Sequence, residues 1–199
     1  MDVLREAEFG DPGRARQAAD TVSTVSSGRN VKMLTALALA RSGDVARAQA
    51  LADELDRRFP ANIPIQRYWL PAIRASIELD RKNPARALLV LRDTSDEFGD
   101  VNSLGASLYP VYIRGQAYLL THQGKEAAAE FQKFLDHSGI VLNSHLGALA
   151  RLGLARAYSL QGDKMRTLKA YQDFLVLWEN ADTDIPILKQ AKSEYAKLQ

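Results

Sequence analysis

The stretch Gly43-Asp44-Val45-Ala46-Arg47-Ala48 occurs in variant form along the chain. Gly10-Asp11-Pro12-Gly13-Arg14-Ala15 precedes it, and Lys82-Asn83-Pro84-Ala85-Arg86-Ala87 follows it. Gly124-Lys125-Glu126-Ala127 and Gly162-Asp163-Lys164-Met165 are looser copies. Each lies between two stretches with helical apolar spacing. Physically it reads as a stop followed by a start. Gly takes the left-handed backbone just past a helix end. Asp or Asn then accepts hydrogen bonds from the free amides of the next helix. Pro12 and Pro84 fall in that helix's first turn, where a missing N–H costs nothing.

After each turn comes an apolar ladder with offsets of four and three. The sets are Ala15/Ala19/Val22, Ala48/Ala52/Leu55, Ala87/Leu91/Thr94, Ala127/Phe131/Phe134 and Thr167/Tyr171/Phe174. Such residues share one helix face. The first member is always small, which lets two backbones approach. The ladder starts are 33, 39, 40 and 40 residues apart. Helix pairs at that period predict an all-α chain, specifically an α-solenoid. The preceding helices carry a matching signal: Leu39, Tyr118 and Tyr158 each lie 9 residues before the small residue of their ladder. That shared span sets the register of each pair.

Composition agrees. The 199 residues include 29 Ala and 27 Leu but only 12 Gly and 7 Pro, a mix that favours helix. Lys+Arg 26 against Asp+Glu 24 leaves a net charge of +2, without the basic excess that draws nucleic acid or anionic membrane. Cys is absent, so disulfides, thiol nucleophiles and Cys-ligated metals are excluded. No apolar run approaches the roughly 18 residues of a membrane span. The amino terminus lacks the pattern of a signal peptide. It reads as the edge of a longer chain, with the first helix cut short.

These residues resemble the tetratricopeptide repeat (TPR) family. Its pattern runs Gly or Ala, Tyr three later, then Ala, an aromatic, a second Ala and a terminal Pro; Ala155, Tyr158, Thr167, Tyr171 and Phe174 match all but the last two positions, and Gly115, Tyr118, Ala127, Phe131 and Phe134 match as well. Ala36, Leu39, Ala48, Ala52, Leu55 and Pro60 form another copy. Residues 64–97 depart from the pattern, and their register stays open. The resemblance implies one right-handed superhelical domain over 1–199. Its repeats run approximately 1–27 (partial), 28–62, 63–99, 106–140 and 144–181. A capping helix over 185–199 closes it, buried along a stripe of Ile187, Ala191, Tyr195 and Leu198. Residues 109–199 are also similar to the C-terminal region of large bacterial serine/threonine protein kinases and related regulators. That implies a regulatory region attached to an effector.

Chemistry is scarce. There is no phosphate-binding Gly-rich loop, no His-Arg-Asp or Asp-Phe-Gly string and no Gly-x-Ser-x-Gly elbow. His137 and His145, with Asp136, make a poor metal set. No cofactor, metal or small-molecule substrate is expected, and the chain reads as a non-enzyme. The expected partner is a protein or peptide, not nucleic acid or membrane. The chain itself is expected to be a monomer. Its compartment defaults to the cytoplasm, or lies outside it if a membrane span precedes this segment in a longer protein.

Phe131, Phe134, Tyr158, Tyr171 and Phe174 are assigned to the core, with Trp178 beneath the final helix. In a TPR array the first helices line a concave groove. The residues that the spacing turns toward it are Asn30, Met33, Arg41, Trp69, Tyr109, Tyr112, Gln116, Arg156 and Ser159. Aromatics and Arg are the usual hot-spot side chains. The competing reading buries these aromatics between repeats. The corresponding faces also carry Met33, Leu37, Ala72 and Ser76, which does not suit a clamp for a terminal carboxylate. The alternative function is self-association through an apolar surface at Leu119/Leu120.

Overall fold

The computed structural model describes residues 3–26, 28–94, 108–141 and 144–198. The expected repeat and cap boundaries at 1, 27, 99, 106 and 199 lie outside them. All regular structure among the described residues is helical. The chain forms two compact units, Met1–Ser95 and Asp96–Gln199.

In the first unit, α1 (Val3–Glu8) pairs with α2 (Pro12–Val25), α3 (Arg29–Arg41) with α4 (Val45–Arg58), and α5 (Leu70–Asp80) with α6 (Pro84–Leu91). Helix α3 also packs on α1, α2 and α5. In the second unit α7 (Tyr109–Leu120) pairs with α8 (Gly124–Asp136), and α10 (His145–Leu160) with α11 (Lys164–Leu177). The short α9 (Ser138–Val141) bridges α8 and α10, while α12 (Pro186–Ala196) packs on α11.

One turn is built five times. The positive-φ residues among those described are Gly10, Gly43, Lys82, His122 and Gly162. Each stands five residues before the small residue that starts its ladder. The next residue's amide donates back across the helix end: Asp11 to the Glu6 carbonyl, Asp44 to Leu39, Asn83 to Glu78, Gln123 to Tyr118 and Asp163 to Tyr158. This bond satisfies a carbonyl that the helix leaves open. It also explains the 9-residue span, because Leu39, Tyr118 and Tyr158 are the acceptors. Asp11, Asp44 and Asp163 then cap the next helix through the amides of Arg14, Arg47 and Arg166, at 2.9, 3.3 and 2.9 Å.

One sequence expectation needs correction here. The fourth turn does not use Gly124 as its left-handed residue; His122 occupies that position. Gly124 instead opens α8, where a Cβ would sit 2.8 Å from the Ala157 carbonyl oxygen, so glycine lets the two backbones touch. The register that the sequence leaves open over 64–97 is set by Lys82 and Glu78, which place α5 and α6 as the other turns place their helices. The sequence does not show it because Glu78 stands where the other pairs carry Leu or Tyr, and because a π-helical turn, Ile65–Trp69, precedes α5. One residue more per turn rotates the apolar face relative to an ideal helix.

The ladders are core. Among their members only Val22 is not buried. Phe131 from α8 lies between Gly115 of α7 and Gly153 of α10, whose added Cβ atoms would stand 2.8 and 2.6 Å from its ring. The Tyr112 ring meets Phe131 and Phe134 edge-on at 6.0 and 6.3 Å. Tyr158 differs from expectation: it is half-buried, and Arg166 covers it, its guanidinium 4.5 Å from the ring centre. The stripe of α12 is also shifted. Leu188 and Ala191 are its buried residues, while Ile187, Tyr195 and Leu198 are half-buried. Trp178 is buried, its ring 5.0 Å from that of Phe174.

Candidate functional site

In the second unit a groove of about 400 Å³ opens between helices. Leu119 comes from the end of α7, and Arg156, Ser159 and Leu160 from the last turns of α10. Tyr171 comes from α11, Glu194 from the last turn of α12, and Lys197 and Leu198 from the residues just past its end. The turn chemistry places these groups. Leu119 and Ser159 both stand three residues before the left-handed residue of their turns, so equivalent points on α7 and α10 reach the same rim.

The floor is a tied polar cluster. Arg156 donates from Nε and Nη2 to Glu194 at 2.9 and 3.1 Å. The Tyr171 hydroxyl donates to the same carboxylate at 2.9 Å, and so does the Gln190 amide at 2.9 Å. Glu194 thus takes four donors, which fixes its position and offsets its charge. Burial of Tyr171, reinforced by its bond to Glu194, pushes its phenol pKa up, so the hydroxyl stays a donor. Around this floor Leu119, Leu160 and Leu198 supply apolar walls, and Leu160 is 43% exposed. The groove therefore offers apolar surface beside charged-group donors, the usual make-up of a recognition site.

The nine residues named from sequence divide sharply. Arg156 and Ser159 line the groove. Tyr109 and Tyr112 do not face a ligand: both are buried, Tyr112 on the two phenylalanines and Tyr109 with its hydroxyl 3.2 Å from Nε2 of His145. Gln116, the counterpart of Arg156 on α7, is half-buried, and its Oε1 is unpartnered. In the first unit Met33 and Trp69 are buried. Arg41 is held by Glu8 of α1 through two bonds of 2.6 and 2.9 Å. Asn30 is exposed in the first turn of α3. Trp69, Tyr109 and Tyr112 are thus buried, as the packing alternative has it for the aromatics, and Met33 is buried as well.

Six groove residues were not assigned there from sequence. Leu119 stood only on the self-association surface, and Tyr171 only in the core. Leu160, Glu194, Lys197 and Leu198 were not singled out for the groove. Lys197, the residue that caps the end of α12, stands three after Glu194 and so on the same side of the helix, but which helix that side meets is a tertiary fact.

The histidines considered as metal ligands are engaged separately, His137 Nδ1 with the Lys133 carbonyl at 2.9 Å and His145 with Tyr109. Among the described residues no group of three His, Asp or Glu side chains is placed to hold a metal ion, and no helix is long and apolar enough to cross a membrane. Comparison with protein-family models, with curated proteins and with solved structures finds no match to the chain.

Proposed function

We propose that this chain is a non-catalytic protein-interaction scaffold, an α-solenoid of the TPR kind whose helix pairs wind into a right-handed superhelix, and that it regulates an effector in a larger bacterial signalling protein. It binds a peptide segment of its partner in the groove between α7, α10 and α12. The observation that carries the reading is the composition of that groove: three leucines around an Arg156 side chain already fixed in place, so that little side-chain entropy is lost on binding. Five repetitions of one turn support the solenoid.

The test is selection from a displayed random-peptide library, followed by titration of the enriched peptides. Leu160→Glu should weaken them at least tenfold with the melting temperature unchanged. Ile63→Glu, an exposed site in the first unit, should have no effect. Enriched peptides that bind Leu160→Glu as tightly as the parent chain would overturn the reading. A mass that rises with concentration in light scattering, and falls to monomer in Leu120→Glu, would favour self-association instead.

A further inference from the structure

The groove's charge is lopsided in a way its shape does not require. Glu194, the carboxylate among its lining residues, is saturated by Arg156, Tyr171 and Gln190. What stays available to a ligand is positive or donating: the Nη1 edge of Arg156, the Lys197 ammonium and the Ser159 hydroxyl. These stand beside Leu119, Leu160 and Leu198. Resting on the peptide-groove reading above, we infer that the groove selects an acidic–aliphatic segment of a partner protein, one or two leucine-like side chains flanked by Asp or Glu side chains.

Size and charge both lead there. A volume of about 400 Å³ lies at the lower end for ligand pockets, enough for a few side chains. An aliphatic side chain gains by leaving water against the three leucines. A carboxylate next to it meets the uncompensated Lys197 ammonium beside an Arg156–Glu194 pair of no net charge, whereas a lysine at that point meets like charge. Complementarity of this kind discriminates between partners even where it adds little to total affinity. The carboxylate is a side-chain one. Capture of a chain terminus uses a converging nest of backbone donors, whereas the donors here are two long, separate side chains and a hydroxyl.

The experiment uses amidated nonapeptides with fluorescein on the α-amino group, which removes that charge: GSDLLELSG, its neutral form GSNLLQLSG and its basic form GSKLLKLSG. A fourth peptide, GSNLLQL, keeps a free carboxyl terminus. Each is titrated by fluorescence anisotropy against the full chain at low salt. The acidic peptide should bind at least tenfold tighter than the neutral one and more tightly still than the basic one. Raising the salt should shrink that gap. Lys197→Glu should reduce acidic-peptide affinity at least tenfold and favour the basic peptide.

Equal affinity for the acidic, neutral and basic peptides, abolished by Leu160→Glu, would overturn the charge selection while leaving the peptide groove standing. A free-terminus peptide that binds as well as the acidic one would overturn the side-chain assignment. If no peptide shows binding that depends on Leu160, both readings fall.

Discussion

Arg156 of α10 and Glu194 of α12 meet in a two-point ion pair, 2.9 and 3.1 Å long. The last helix is thereby tied to α10 as well as to α11, through side chains 38 residues apart in sequence. The pair is partly exposed, about a quarter of each side chain. It therefore lies between a surface pair, worth roughly 0–1 kcal/mol, and a buried one, whose disruption costs roughly 3–5 kcal/mol. Glu194→Ala should destabilise the second unit by about 1–2 kcal/mol. Hydrogen exchange in α12 should accelerate before that in α10. Exchange rising equally in both helices would show that α12 has no separate anchorage.

Tyr171→Phe removes one donor from Glu194 and keeps the ring. The loss should be about 0.5–1.5 kcal/mol, the net worth of one hydrogen bond. Urea unfolding of the variant checks it, and a change in the folded mass or helix content would mean that more than one bond had been lost.

Gly153→Ala sets a methyl group where the Phe131 ring lies, 2.6 Å away. Phe131 is buried and closely packed, so the ring has little room to yield. The variant should lose about 1–3 kcal/mol, the cost of overpacking. Phe131→Leu in the Gly153→Ala background should recover part of that loss. Strict additivity of the two changes in denaturant midpoints would refute the contact.

The turns make a prediction of opposite signs. His122 has φ +58° and Gly162 φ +73°, at equivalent positions. A side chain in that region costs about 1–2 kcal/mol, while glycine costs entropy in the unfolded chain. His122→Gly should stabilise by about 0.5–1 kcal/mol, and Gly162→Ala should destabilise by about 1 kcal/mol. Thermal melts of the two variants moving in the same direction would contradict the shared turn geometry.

Acid stability can be traced to Glu54. Hydrogen bonds from Lys32 and then Arg58 hold its carboxyl below the ordinary value of 4.5. A carboxylate depressed in the folded state stabilises the fold above its unfolded pKa, and this contribution disappears as pH falls through the folded value. Glu54→Gln should therefore lower stability at pH 7 by under about 1 kcal/mol, given its exposure, and make no difference at pH 2. Urea midpoints at the two pH values decide it. A larger deficit at pH 2 would reverse the sign.

Local chemistry made much of this molecule legible. The Gly-Asp turns, the small residue opening each ladder and the 9-residue span are backbone requirements, met within a dozen residues of each other. Each of these tight turns closes one helix with a left-handed residue and opens the next within two residues, wherever the rest of the chain goes. The third turn and its ladder are legible too, but the register of the preceding helix is not, because Glu78 stands where an aromatic or Leu would mark it; only Ala75, 12 residues before Ala87 as Ala36 is before Ala48, carries the signal.

What only the tertiary structure decided is which helix face meets which. Tyr112 and Arg156 both point off their ladders by spacing. One is buried against Phe131, and the other is fixed at a groove by Glu194. Periodicity assigns a side chain to a face, with no statement of what covers it. Tyr112 is covered because Gly115 and Gly153 let α7, α8 and α10 close around Phe131. Arg156 stays accessible because α12 meets its helix through a long polar side chain instead of a small apolar one. The distance between helices, set by the size of side chains far apart in sequence, separates core from open groove here.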